Sequence, residues 1–434
     1  MKSNAKHIRN TLHSLIRDLC QNPEQICHDP TKNFTRKRKL PLEALLTLLI
    51  GMGGGPLRNE LLAYSCYSAE TVTVSALVQQ RSKLKAEAMQ ILFRRFVSKT
   101  LQQNSYNNYR LLAADGTSLQ FPTNPSDWDS YIPASEKKSH FSLMHISALY
   151  DLKAGIYLDA VVQKARKMNE NSALVEMVEH LEIPGQVILT ADRNYESYNT
   201  IAHIHEKGWN YLIRLRDYKG IVSKVKLPDT TEFDLPVTVN LTRRKSKALK
   251  DSLGETYRFL YSSTKFDYLP SGSGSPYSMS FRVVRFPIGP DSFETVITNL
   301  DAKAFPPQKL RKLYMARWGI ETSFRHLKQT VGLRMLQCKK VEHVFQEIFA
   351  RLIMYNFTEL VISHSDIRNT GKKLAHKANF AAAAHICKQF IRRKIAPPLV
   401  ETLISKFLVP IRPGRRETRK LNHIEFTGFY YRIA

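Results

Sequence analysis

The sequence has few cysteines, and their spacing shows no pairing. Its 434 residues contain five cysteines without a CxxC pair: Cys20, Cys27, Cys66, Cys338 and Cys387. An odd number of cysteines without paired spacing does not make a disulfide framework, and it indicates a reducing compartment. A zinc site is also disfavoured, because Cys20, Cys27 and His28 are not followed by a second ligand pair at finger-like spacing.

Acidic residues are scarce, and the sequence has no long apolar run. It contains 65 Lys and Arg against 38 Asp and Glu, a formal net charge of +27. This charge indicates a polyanionic partner, either nucleic acid or an anionic membrane surface. No run of about 18 apolar residues could span a bilayer, and the basic N-terminus has no signal-peptide pattern. We therefore expect a cytoplasmic, nucleoid-associated protein that binds nucleic acid and no membrane.

Hydrophobic residues make up 43% of the sequence, enough for a large core, and changes in pattern divide the chain. Residues 1–104 have helical periodicity, interrupted by glycines from Gly51, and a basic cluster at 36–39. We interpret this region as a helical domain that contacts DNA. An ordinary solvated surface is the alternative for the basic cluster.

From residue 105 the pattern changes to strands. Three strand-like segments follow one another, at 109–121, 139–151 and 155–166. Helix and strand patterns then alternate up to residue 217, which predicts an α/β protein with a mixed sheet. Residues 218–303 lose the helical pattern and predict an all-β insertion. Helical patterns resume at 304–340 and continue in a C-terminal region, 341–434, that ends in a basic tail.

Two aspartates follow apolar, strand-like runs. Asp115 ends the run LLAAD and Asp192 ends the run VILTAD, and strand ends of an α/β sheet gather at one edge. Each residue has another explanation. Asp115 with Gly116 also suits a hairpin turn, and Asp192 also suits the cap of the following helix.

A third carboxylate lies on a predicted helix over 314–328. At about 100° per residue, four polar side chains share one narrow stripe of this helix beside its apolar face: Tyr314, Arg317, Glu321 and Lys328. Glu321 and Lys328 are about 10 Å apart along the axis, too far for a salt bridge. A solvated amphipathic helix is the alternative for these residues taken alone.

Three carboxylates in a basic protein suit phosphodiester chemistry. Asp115, Asp192 and Glu321 are able to hold two Mg²⁺ ions about 3.5 to 4 Å apart, which activate a hydroxyl and stabilise the leaving oxygen. We expect Mn²⁺ to substitute. Nearby cations are expected to hold DNA phosphates: Arg193, Arg317 and Lys328.

The stripe has the spacing YxxRxxxExxxxxxK, which resembles the signature of bacterial DDE transposases of the IS-four insertion-sequence type. The order of the other motifs is also similar: LLAADGTSLQF, ILTADRNY, the insertion, then TNL at 298–300. The resemblance covers about residues 105–360. It implies a ribonuclease H-like catalytic core, 105–217 and 304–340, interrupted by the all-β insertion and flanked by helical regions. By this resemblance we expect residues 1–104 to bind DNA ends.

The resemblance implies a cut-and-paste transposase that binds terminal inverted repeats, cleaves the ends and joins the 3′ hydroxyls to target DNA. Its implied partners are double-stranded DNA, both transposon ends and target, and a second copy of the chain in a synaptic homodimer. Two alternatives stay open. One is a ribonuclease H-like nuclease without strand transfer, and the other is an inactive DNA-binding relic.

One aromatic position departs from the family pattern. Members that cut through a DNA hairpin carry a tryptophan shortly before the TNL segment, where the nearest aromatic here is Phe293. Trp318 matches a tryptophan found in some members, and we expect Tyr314 and Trp318 to join the DNA contacts. We therefore expect excision to depend little on a base-flipping hairpin, or Phe293 and Trp318 to support a weaker form. A core position is the alternative for Phe293.

Overall fold

The fold is given by a computed structural model, which describes most of the chain. The described residues are 4–101, 108–135, 139–216, 220–223, 225–270, 272–289, 292–336, 338–367 and 374–412. The predicted basic tail at the end of the chain lies outside them. In these ranges, no helix is both long and apolar enough to cross a membrane.

Helices occupy both ends of the chain and alternate with strands in its middle. The α-helices of the described ranges are α1 (Asn4–Gln21), α2 (Leu42–Gly51), α3 (Leu57–Tyr64), α4 (Val74–Arg81), α5 (Ala88–Thr100), α6 (Glu170–His180), α7 (Tyr198–Glu206), α8 (Lys247–Leu253), α9 (Pro307–Ala316), α10 (Trp318–Arg325), α11 (Val341–Ser363), α12 (Phe380–Ile391) and α13 (Pro397–Lys406). A 3₁₀ turn, Arg193–Tyr195, follows the second aspartate of the predicted site.

The strands lie mainly between residues 109 and 298. They are β1 (Tyr109–Phe121), β2 (Tyr131–Ile132), β3 (Phe141–Asp151), β4 (Ile156–Lys164), β5 (Gln186–Ala191), β6 (Asn210–Arg214), β7 (Phe233–Thr242), β8 (Tyr257–Phe259), β9 (Tyr277–Gly289), β10 (Ser292–Thr298), β11 (His376–Ala378) and β12 (Leu408–Pro410). The strand and helix patterns predicted between 109 and 217 are therefore confirmed.

One large mixed sheet runs through the described part of the chain. Its order is β2-β3-β1-β5-β6-β10-β9-β7-β8, and β4 pairs with β3. Strand β1 is antiparallel to β3 and parallel to β5, which is parallel to β6. From Val187 to Ala191, β5 is buried without alternation, as expected for a strand covered on both faces. The predicted α/β class is confirmed.

The stretch 218–303 was predicted as an all-β insertion, and this is wrong in one respect: besides β7 to β10 it contains the short helix α8. Strand β10 pairs with β6 of the preceding region, and β9 pairs with β10. These strands therefore extend the same sheet by continuous hydrogen bonding. The division of the chain into five regions stays a prediction.

Helices from both ends of the chain pack around α11, which is apolar on nearly all sides and buried along most of its length. Helices α1, α2 and α5 contact it from the N-terminal region, and α12 contacts it from the C-terminal region. The fully buried Arg351 of α11 donates hydrogen bonds to the carbonyl oxygens of Met52 and Gly53. Arg351 thereby fastens the glycine-rich loop after α2 to the central helix.

The same loop meets the segment that follows the predicted Glu321 helix. Gly332 has a φ of +92°, and a Cβ there would lie only 2.8 Å from the backbone nitrogen of Gly54. Glycine is required at position 332 both by its left-handed conformation and by this close approach. The N-terminal region is therefore in direct backbone contact with the core.

Candidate active site

Strands β1 and β5 bring the two predicted aspartates side by side. The parallel pairing of the two strands ends at Ala114 and Ala191, and the next residues are Asp115 and Asp192. Neighbouring strands are about 4.8 Å apart, so the two side chains start from adjacent positions at the end of β5. This is the edge of the sheet at which convergence was predicted.

Asp115 nevertheless does not end its strand, and both the strand-end placement and the hairpin-turn alternative are wrong for it. Strand β1 continues to Phe121, and Asp115 pairs with Ala148 of β3. The apolar run stops at Asp115 because β1 loses its β5 neighbour there while it keeps β3. Asp192 caps the 3₁₀ turn that follows it, since its carboxylate accepts a hydrogen bond from Asn194 N at 2.8 Å.

Glu321 comes to Asp115 from α10. The single helix predicted over 314–328 consists of three pieces: α9, α10 after Arg317, and a π-helical turn at His326–Thr330. Ile320, Phe324 and Leu327 pack into the main core, and α10 contacts β1. This packing turns the polar face of α10 toward the edge of the sheet that carries Asp115.

Arg317 links two of the carboxylates. Its guanidinium donates to Glu321 Oε1 at 2.9 Å and lies 3.4 Å from Asp115 Oδ2. The guanidinium carbon is 5.8 Å from the ring centre of Tyr314 and 5.6 Å from that of Trp318, within cation–π range. Arg317 is therefore buried between two aromatic rings and two carboxylates.

The electrostatics of the site act most strongly on Asp115. Burial raises the pKa of its carboxyl to about 6; the Gly116 N–H and Arg317 oppose this rise, and the charges of Asp192 and Glu321 add to it. Burial also lowers the pKa of Lys328 to about 8, with Arg334 contributing and Asp115 opposing. Asp192, Glu321 and Lys328 therefore each interact electrostatically with Asp115.

A pocket of about 360 Å³ opens on Asp115 and Glu321, and its lining includes Arg325, Lys328 and Arg334. This lining is basic, as required for contact with a phosphate backbone. The other predicted DNA-binding residues lie outside the pocket lining. Arg193 is exposed directly after Asp192, Trp318 is 47% exposed, and Tyr314 is only 5% exposed within a small core.

The site residues fit a divalent cation by donor type and charge. Carboxylate oxygens are the ligands that Mg²⁺ and Mn²⁺ prefer, and a cation would favour the charged form of Asp115. As the side chains stand, no three His, Cys, Asp or Glu residues within the described ranges are grouped closely enough to hold a metal ion. Arg317 occupies oxygens of Asp115 and Glu321, so a cation that uses them must displace it.

Three polar residues beside Asp115 were not predicted from the sequence. They are His145 of β3, Glu170 at the start of α6 and Tyr195 in the 3₁₀ turn. The one signal for them is Gly116, because a glycine inside a strand often marks the close approach of another group. Which groups approach is decided by the packing of α6 on the sheet.

This chain is similar to known transposases. Residues 106–357 match the family described as transposase DDE domain. The chain is 26% identical over 374 residues to the transposase InsG for insertion sequence element IS4 of Escherichia coli (strain K12), covering 80% of this chain and 76% of that protein. It also matches the piggyBac transposase in a cryo-EM structure of its synaptic complex with hairpin DNA. There the TM-score is 0.47 and the identity 12%, over 94% of this chain and 84% of that chain.

Proposed function

This chain belongs to the DDE transposase family, and we propose that it is a cut-and-paste transposase. It is a DNA transposase, and the activity of its family is metal-dependent DNA cleavage and strand transfer. In the proposed cycle the chain binds terminal inverted repeats, cleaves both ends and joins the 3′ hydroxyls to target DNA. The observation that carries this proposal is geometric: Asp115 and Asp192 follow the last paired residues of β1 and β5, and Arg317 joins Asp115 to Glu321.

We assign cation binding to Asp115, Asp192 and Glu321, with two Mg²⁺ ions as the natural cofactor and Mn²⁺ as a substitute. Bound divalent ions supply activation of a hydroxyl nucleophile and stabilisation of the leaving oxygen. The oxygen-only donor set supports this assignment. Arg317 offsets part of the negative charge of Asp115 and Glu321, which reduces the repulsion between two partly buried carboxylates.

We propose that the basic residues lining the pocket bind the DNA backbone. A phosphate beside Lys328 would favour its charged form, which burial and Arg334 disfavour in the free protein. Such contacts orient the scissile phosphate at the carboxylates without reading sequence. Arg193 extends this surface beside Asp192, and Trp318 offers an exposed ring for a base.

We further propose that residues 1–104 bind the transposon ends and that the chain acts as a homodimer. The N-terminal region carries a second basic pocket of about 400 Å³, whose lining includes Lys32, Arg36 and Arg38. The basic cluster at 36–39 is exposed. A concentrated positive surface of this kind suits a phosphate backbone.

The strand order supports a ribonuclease H-like core. Strands β4, β3 and β1 form an antiparallel meander, and β5 and β6 continue from β1 in parallel. The carboxylates lie on or directly after β1 and β5, and the third comes from a helix packed on β1. A nuclease without strand transfer would share this arrangement, so the test must detect joined products.

The test is cleavage and joining of DNA that carries the terminal repeats of the element, in the presence of Mg²⁺. Asp115→Asn, Asp192→Asn and Glu321→Gln should each lower cleavage at least about 100-fold and leave end binding nearly intact, because they remove cation ligands and no phosphate contacts. The exposed Asp251 of α8 provides the control Asp251→Asn, which should behave as wild type. Wild-type cleavage by any of the three variants would remove that residue from the site, and cleavage without joined products would favour the nuclease.

A further inference from the structure

A buried histidine and a partly exposed glutamate meet beside the backbone of the strand that carries Asp115. His145 is opposite Ser118 in the register of β3 and β1, and its Nε2 lies 3.0 Å from Oε1 of Glu170. Its other ring nitrogen is 3.1 Å from the Ser118 hydroxyl. Asn169 caps α6 by accepting a hydrogen bond from Ser172 N, which fixes the helix start at Glu170. The Glu170 carboxylate therefore lies at the start of α6, in contact with His145 of β3.

Gly116 shows how close this pair lies to the backbone next to Asp115. A Cβ at position 116 would lie 2.3 Å from Glu170 Oε1 and 2.4 Å from His145 Nε2. Asp115 Oδ1 accepts a hydrogen bond from Gly116 N at 2.8 Å. Because the bonds from N to Cα and from Cα to Cβ are each about 1.5 Å, the Asp115 and Glu170 carboxylates are at most about 8 Å apart. Two cations about 4 Å apart, with oxygen ligands about 2.1 Å from each, span a similar distance.

Tyr195 supplies an independent sign of a ligand at the same place. Its side chain is 1% exposed, and its hydroxyl has no hydrogen-bond partner among the described residues. Burial raises the pKa of Tyr195 well above its usual value, and the charges that contribute next are those of Glu170, Asp115 and Asp192, in that order. A buried hydroxyl without a partner is unfavourable, because it has lost its hydrogen bonds to water. The turn that Asp192 caps therefore carries a buried donor whose hydrogen bond no described protein group accepts, and a polar ligand would accept it.

We propose that Glu170 is a fourth carboxylate of the cation site, that His145 positions it, and that the Tyr195 hydroxyl donates a hydrogen bond to a water or phosphate oxygen held there. This inference rests on the proposed function, since it takes Asp115 as a cation ligand. It adds a residue from α6 to a site otherwise built from β1, β5 and α10.

The test is calorimetric titration of the full chain with Mn²⁺, in the absence of DNA. Glu170→Gln should weaken Mn²⁺ binding about tenfold or more, whereas Glu176→Gln, an exposed position on the same helix, should leave it unchanged. Tyr195→Phe keeps the buried ring and should weaken binding by about fivefold, because only the hydroxyl is lost.

The role of His145 is tested by a separate comparison of variants. If His145 acts only by positioning Glu170, His145→Gln should weaken Mn²⁺ binding, and the double variant should bind no more weakly than Glu170→Gln alone. Additive losses in the double variant would overturn the positioning role and give His145 a contact of its own with the ligand.

Thermal unfolding in a chelator checks that each variant is folded. If Glu170→Gln fails to fold, Tyr195→Phe decides the proposal in its place. Mn²⁺ binding by Glu170→Gln equal to that of Glu176→Gln would overturn the proposal and leave Glu170 as a structural partner of His145. The variant Asp115→Asn separates this failure from a failure of the proposed function. If Asp115→Asn loses binding and Glu170→Gln does not, only the fourth carboxylate is wrong; if Asp115→Asn binds as wild type, the assigned cation site itself is wrong.

Discussion

Replacing Arg317 with glutamine should make this transposase bind a divalent cation more tightly. In the metal-free protein the guanidinium contacts Glu321 at 2.9 Å and Asp115 at 3.4 Å. A cation that binds through the same oxygens competes with both contacts, which opposes its binding. Glutamine has no charge and cannot hold the carboxylates in this way, so the opposition is lost in Arg317→Gln.

The magnitude follows from the two contacts. A hydrogen bond between charged groups contributes about 1.5 to 3 kcal/mol, and the longer contact to Asp115 contributes less. The Asp115 and Glu321 side chains are 20% and 29% exposed, so water screens part of the attraction. We take about 2 kcal/mol for both contacts together. Since about 1.4 kcal/mol corresponds to tenfold in affinity, the Kd for Mn²⁺ should fall roughly 30-fold.

The assay is calorimetric titration with Mn²⁺ at neutral pH without DNA, and the matched control is Arg334→Gln. Arg334 is exposed in the lining of the same pocket, so this control also removes one positive charge near the carboxylates. Because solvent and salt screen the charge of Arg334, Arg334→Gln should change the Kd for Mn²⁺ by only a few-fold. An equal gain in Mn²⁺ affinity in both variants would show that the loss of any nearby positive charge is sufficient and that the Arg317 contacts are not needed to explain it. Weaker binding by Arg317→Gln than by wild type would refute the competition altogether.

Three further predictions concern DNA contacts, the excision intermediate and stability. Lys328→Ala should lower the slope of log binding constant against log salt by about one unit, because one phosphate contact is lost; an unchanged slope would mean that Lys328 faces protein. Phe293 is half-buried with Arg285 5.3 Å from its ring centre, and hairpin-ended DNA on denaturing gels should be scarce and little changed in Phe293→Ala; abundant hairpin that disappears in the variant would contradict this. Burial raises the pKa of Glu359 from 4.5 to about 7, so the stability associated with this residue is present below pH 4.5 and lost as pH rises through 7. Glu359→Gln should therefore exceed wild type in urea-unfolding free energy above pH 7, by at most about 3 kcal/mol, and lose that advantage near pH 5.

Local patterns in the sequence predicted the elements of the core because the spacing of apolar residues reflects which side chains of each element are buried. The apolar run before Asp192 gave β5, and the strand-like segment at 109–121 gave β1. The same patterns did not show that Asp115 still has β3 as a neighbour after the pairing with β5 has ended. That pairing depends on β3, whose partner cannot be read from β1 itself.

The parts of the site that escaped prediction depend on contacts between distant segments. The pairing of Arg317 with Asp115 joins residues about 200 positions apart in sequence, and the helical stripe alone suggested a phosphate contact for Arg317. Glu170 and His145 meet only because α6 lies over β3. Helical periodicity also could not reveal the interruption at Arg317, because the apolar face of 314–328 continues through it.

The contact between Gly54 and Gly332 has a consequence for how DNA recognition and DNA cutting are related. Two backbones that touch without side chains between them leave little room for one part to swing relative to the other, and the buried Arg351 fastens the same loop. If residues 1–104 bind the transposon ends as proposed, the fold itself fixes the distance between the recognised base pairs and the cleaved phosphate. A flexible linker would leave that distance variable. The recognition site and the cleavage site would then belong to one rigid unit. A deletion of the N-terminal region would remove the helices that pack on α11 as well as the residues that bind the transposon ends.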